Sequence, residues 1–75
     1  MTLADLPLGA RAQVLALGGA GAERRRLLDL GILPGTVISV ESRSPLGDPT
    51  AYRVRDTVIA LRREQAARIT VRSEI

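Results

Sequence analysis

The sequence predicts an all-β fold with short helices: a small barrel of about five antiparallel strands, with one main helix inserted after the first strand. Three observations predict it. The chain has 75 residues, enough for one domain and too few for a two-layer sandwich of useful size. Its apolar residues alternate with polar ones in short runs rich in valine, isoleucine and threonine, the residues that fit a pleated surface. Glycine and proline punctuate those runs at turn spacing.

Pro7 to Gly9 form the first turn, and residues 11–17 follow as a strand, with Ala12, Val14 and Ala16 facing one side and Arg11, Gln13 and Leu15 the other. Gly18, Gly19 and Gly21 end that strand. Residues 22–30 then collect good helix formers and carry Leu27, Leu28 and Leu30. Gly31 can supply the left-handed residue that stops this helix, and Ile32 can fold back onto Leu27, the apolar contact of a Schellman cap. Pro34 and Gly35 suit the two central positions of a type II turn, because proline presets the first φ and glycine accepts a positive second one.

The chain re-emerges at 36–43 as a second strand, with Ile38 and Val40 as its core face and Val37, Ser39 and Glu41 on the other side. Pro45 and Pro49 flanking Gly47 make 44–49 a loop. Residues 50–55 and 57–62 read as a hairpin turning near Asp56, with Ile59 and Leu61 in the core. A helical turn at 63–68, too short to stand alone, leads to a last strand at 69–71. Closing so small a sheet on itself is the economical arrangement, and the expected architecture is a single SH3-like barrel domain over 1–75.

Composition narrows the function. Cysteine and histidine are absent, which removes disulfides, the usual zinc ligands, thiol nucleophiles and imidazole bases. An enzyme is not expected, and neither a cofactor nor a metal site is assigned. The carboxylates are scattered and read as solvated surface charge. No apolar stretch approaches the roughly 20 residues needed to cross a bilayer, and no signal-peptide pattern opens the chain, so a cytoplasmic location without membrane insertion is the default expectation.

The net charge of +3 comes from eleven arginines, with no lysine, against eight carboxylates. The only basic run, Arg24, Arg25 and Arg26, points around a helix and makes no stripe. Gly18, Gly19 and Gly21 before a helix suggest a phosphate loop, but Glu23 and Arg24 stand where such a loop needs Lys and Ser or Thr, so a plain connection is the preferred reading. Tyr52 is the only aromatic residue. One ring cannot line a proline-rich peptide groove or stack a nucleic-acid strand, and Tyr52 is expected to lie across the barrel with its hydroxyl at the surface. Leu28 and Leu46 are the leucines hardest to bury. Either they cover one end of the barrel or, rimmed by Arg24 and Arg25, they form a docking patch.

Three segments carry a family resemblance: Leu27-Leu28-Asp29-Leu30-Gly31-Ile32-Leu33-Pro34-Gly35, then Pro45-Leu46-Gly47-Asp48-Pro49, then Ala60-Leu61-Arg62-Arg63-Glu64. In this order and spacing the chain resembles FeoA, the small cytosolic component of bacterial ferrous iron uptake. The resemblance runs from Leu3 to Val71. It implies an SH3-like barrel acting with the membrane permease FeoB, on or near its cytosolic GTP-binding region. The family often has glycine where this chain has Asp56. Similar domains end the DtxR-type metal-dependent repressors, but the helix-turn-helix and metal ligands of such a repressor have no counterpart in this sequence.

The leading expectation is therefore an accessory or regulatory protein of ferrous iron uptake that binds FeoB through Arg24, Arg25, Leu28, Leu46, Gly47 and Asp48. Self-association is left open. The alternative is a basic barrel that binds nucleic acid through Arg24, Arg25, Arg53 and Arg55, with affinity falling steeply as salt rises; nucleic acid is not the expected partner.

Overall fold

The computed structural model describes residues 1–74. A 3-10 turn at Leu3–Asp5 precedes β1 (Arg11–Leu17), α1 (Gly21–Asp29), β2 (Val37–Arg43), β3 (Thr50–Val54), β4 (Thr57–Leu61), α2 (Arg63–Ala66) and β5 (Ile69–Ser73). The five strands form one antiparallel sheet in the order β4-β3-β2-β1-β5. Each expected element is present, with boundaries moved by one or two residues.

The local signals act as their chemistry requires. Gly31 adopts φ +90, its N–H donates to the Leu28 carbonyl at 3.0 Å, and the Ile32 N–H reaches the Leu27 carbonyl at 3.2 Å. Those two bonds are the Schellman pair, and Leu27 and Ile32 are both buried beneath them. Gly35 adopts φ +93, and the Thr36 N–H closes the turn onto the Leu33 carbonyl at 3.0 Å. The chain thus reverses twice within six residues and delivers β2 beside β1.

The core is built from Leu3, Leu6, Ala12, Val14, Leu27, Ile32, Ile38, Val40, Tyr52, Val54, Leu61, Ala66, Ile69 and Val71. Ile38, Val40 and Leu61 are buried as expected, and Ile59 is half-buried against them. Two expectations are corrected. Ala16 is exposed, because β1 shifts register against β5 between Val14 and Ala16. The extra residue, Leu15, rotates the end of the strand so that Leu17 and not Ala16 packs on the core. Tyr52, expected to reach the surface, is 3% exposed, so nearly the whole residue is buried. Burial pushes that phenol above its usual range, and the neighbouring Thr50 hydroxyl draws it partly back.

The barrel closes by packing. Among the described residues no ladder joins β4 to β5. The gap is filled by Leu3 and Leu6 from the N-terminal segment and by Ala66 from α2, all buried. The segment that connects β4 to β5 contains α2, which packs against the N-terminal 3-10 turn, and that turn itself packs against β5.

Candidate interaction surface

The expected site residues lie on two segments that border α2. Arg24, Arg25 and Leu28 are on α1, a helix that anchors to the core through Leu27. Leu46, Gly47 and Asp48 are in the loop at 44–49. No hydrogen bond or ion pair joins the two segments among the described residues.

The loop projects by turn chemistry. Ser44 accepts the Gly47 N–H at 2.8 Å, which places Pro45 and Leu46 at the centre of a β-turn and Gly47, at φ +87, just after it. The side chain in the third position of such a turn points out, and Leu46 is 94% exposed. Asp48, though exposed, is held on the protein: its Oδ1 accepts the Arg63 N–H at 2.9 Å. It thereby satisfies a free amide at the start of α2 and places a negative charge where a helix N-terminus favours it. Asp48 thus ties the loop to α2 before any partner arrives. Gly47 lines a shallow depression with Ala4, Arg43, Thr50, Tyr52 and Arg63.

On the other side of α2, Ala22, Glu23 and Arg26 of α1 face Glu64, Gln65 and Arg68 across an open groove of about 530 Å³. Glu23 and Arg68 form an ion pair at 2.6 Å there. Arg24 and Arg25 are exposed beside it, and Leu28 is half-buried. Of the two leucines expected to be hardest to bury, Leu46 is exposed and Leu28 is only half so. The 100° step between consecutive helix residues leaves Leu28 on the flank of the buried Leu27 stripe and not opposite it, whereas nothing lies over Leu46.

A second basic surface escaped the sequence reading in part. Arg53 and Arg55 line an open groove of about 550 Å³ on the outer face of β1, β2 and β3, and Arg11 joins them. Sheet register assembles it: Arg11 pairs opposite Ser39, and Ser39 opposite Arg53. That signal exists only once strands are paired. Glu41 binds Arg53 through Nε at 3.0 Å and Nη2 at 2.6 Å, which offsets part of the charge. Arg24 and Arg25 belong to α1, so the four arginines proposed for nucleic acid divide between that helix and the β3–β4 hairpin. No group of three or more potential metal-ligating side chains occurs among the described residues, nor is any helix there long and apolar enough to cross a membrane.

Comparison with known proteins decides the lineage, because the FeoA domain family matches residues 1–73. The chain belongs to the FeoA domain family. It is 41% identical over 71 residues to the Fe(2+) transport protein A/Fe(2+) transporter FeoB fusion protein of Porphyromonas gingivalis, covering 95% of this chain and 8% of that one. The chain thus spans less than a tenth of that curated relative. The solution structure of FeoA from Chlorobium tepidum superposes with a TM-score of 0.90 at 38% identity, covering 97% of this chain and 70% of that one. FeoA of Stenotrophomonas maltophilia, solved with zinc and described as a prokaryotic SH3 domain protein, gives 0.86 at 34% identity, covering 96% and 89%. The SH3-like barrel and the FeoA assignment both stand on these likenesses.

Proposed function

We propose that this FeoA domain is an accessory protein of ferrous iron transport that acts by binding the FeoB permease from the cytosolic side, without chemistry of its own. The observation that carries this reading is the fusion relative, in which a segment 41% identical to this chain shares one polypeptide with a FeoB transporter. Tethering raises the effective concentration of two modules that bind one another, so fused modules are natural partners when separate. The absence of histidine and cysteine supports a role exerted through shape and surface charge.

The docking surface is formed by Arg24, Arg25 and Leu28 on α1 together with Leu46 and Gly47, with α2 as the shared support and Asp48 as the tie that fixes the loop. Leu46 is the anchor. A leucine held 94% exposed by a proline-containing turn gains burial only from a partner, and burying it is worth about 1.5–3 kcal/mol. Leu46→Glu leaves the core untouched and is expected to weaken binding to detergent-solubilised full-length FeoB by about tenfold or more. Unchanged affinity in a titration of native and variant protein removes this surface from the proposal.

A further inference from the structure

The two edges of the sheet are treated differently. On the outer side of β5, the Met1 carbonyl accepts the Val71 N–H at 3.0 Å, and Thr2 bridges Thr70. On the outer side of β4 there is no such cover among the described residues.

The register of the hairpin fixes which groups face outward. Val54 and Thr57 close a two-residue turn, and the closing pair of such a hairpin exchanges hydrogen bonds. Alternation then points the N–H and C=O of Thr57, Ile59 and Leu61 toward β3, and those of Val58 and Ala60 away from the sheet. Val58 is 47% exposed, and Ala60 is exposed beside it. From Thr57 to Leu61 the strand has no charge, no proline and no bulge, so it lacks the usual devices that keep an edge from pairing.

Charges flank the strand instead. Asp56 precedes it and Arg62 follows it, about 20 Å apart along an extended chain, too far to meet within one molecule. We propose that β4 pairs antiparallel with β4 of a second copy of this chain, about a two-fold axis through Ile59. In that register Val58 stands opposite Ala60 of the second copy, two such pairs supply four backbone hydrogen bonds, and Asp56 stands opposite Arg62 on both sides. The neighbouring allowed registers lose this match. An axis through Ala60 sets Asp56 against Glu64, and one through Val58 sets Asp56 against Ala60. The contact is isologous and closed, so it makes a dimer and no filament. A five-residue edge buries less than the roughly 1,200 Å² of a standard interface, and the dimer forms with a Kd of the order of 0.1–1 mM. It does not depend on the docking to FeoB proposed above.

The test is a charge exchange. Asp56→Arg and Arg62→Asp each place like charges at both ends of the homodimer, whereas a mixture of the two variants forms a heterodimer with both pairs complementary. Sedimentation equilibrium up to about 2 mM, the range the expected affinity requires, is read beside amide chemical-shift changes for each protein and for the mixture. The native chain is expected to dimerise, with concentration-dependent shifts centred on Val58 and Ala60. Each variant alone should dimerise about fivefold or more weakly, and the mixture should regain native affinity. Val58→Lys, an edge lysine at a site that is 47% exposed, should abolish the association with the fold intact. A native chain that stays monomeric, a variant that associates as the native does, a mixture that fails to recover, or shifts centred elsewhere each overturns the proposal.

Discussion

β4 and β5 are five-residue strands at opposite ends of the same sheet, each containing one valine, one isoleucine and one threonine. They do different work. β5 inserts Ile69 and Val71 into the core and has its outer edge covered by the N-terminal residues. β4 contributes Leu61 and half of Ile59 and leaves Val58 and Ala60 open. Strand propensity is thus the same in both places, and the cover supplied by other segments separates a strand that stabilises from one that can recognise.

The largest expected effect tests the stabilising end. Ile69 is completely buried, and Ile69→Ala is expected to cost about 2–5 kcal/mol through lost burial and an unfilled cavity. Against a total of roughly 4–11 kcal/mol for a domain of this size, that removes much of the stability. Val58→Ala on β4 should change it by less than about 0.5 kcal/mol. Urea denaturation of both variants measures the contrast, and comparable losses would mean that β4 is covered in solution.

A smaller effect sharpens the other end. Arg55 holds φ +57 in the turn that attaches β4, a left-handed position that costs an arginine roughly 1–2 kcal/mol and an asparagine less. It is Arg55, and not the neighbouring Asp56, that carries the strained backbone angle. Arg55→Asn is expected to stabilise the domain by about 0.5–1 kcal/mol, visible as a higher thermal midpoint. A lower midpoint would show that the Arg55 side chain on the outer groove matters more than its backbone.

The smallest effect lies in the cover over β5. The Thr2 N–H donates to Asp5 Oδ2 at 2.8 Å, and the Thr2 hydroxyl adds a bond to the same oxygen at 3.3 Å. The Thr2 backbone bond, foremost, holds the Asp5 carboxyl below its ordinary value of 3.8. Its folded-state pKa is lowered, so its contribution is complete above the unfolded value and is lost as pH falls below about 4 through the folded one. Stability against pH, measured between about 2.5 and 6, should fall slightly more steeply for the native chain than for Asp5→Asn. Superimposable acid limbs would show that this contact does not hold the cover in place.

Much of the fold was legible because its signals are local. Gly31 with Ile32, Pro34 with Gly35, and the alternation at Ile38 and Val40 each depend on residues within six positions of one another. The candidate site was legible in part. Leu46 announces itself as a leucine in a proline-flanked loop, and its exposure follows from the turn. Asp48 does not, because its role as a tie to α2 depends on a residue fifteen positions away. Arg11 was missed for the same reason: it joins Arg53 only through two strand pairings.

By itself, then, the sequence determined the element order, the turn types, the main core residues and the exclusion of thiol and imidazole chemistry, since each is written in composition or short spacing. The tertiary structure decided what depends on contacts between distant segments. It placed the bulge that exposes Ala16, buried Tyr52, filled the seam between β4 and β5 with α2, and covered one sheet edge but not the other. The physical reason is that propensity acts along the chain, whereas burial and backbone pairing are set by whatever segment packs alongside.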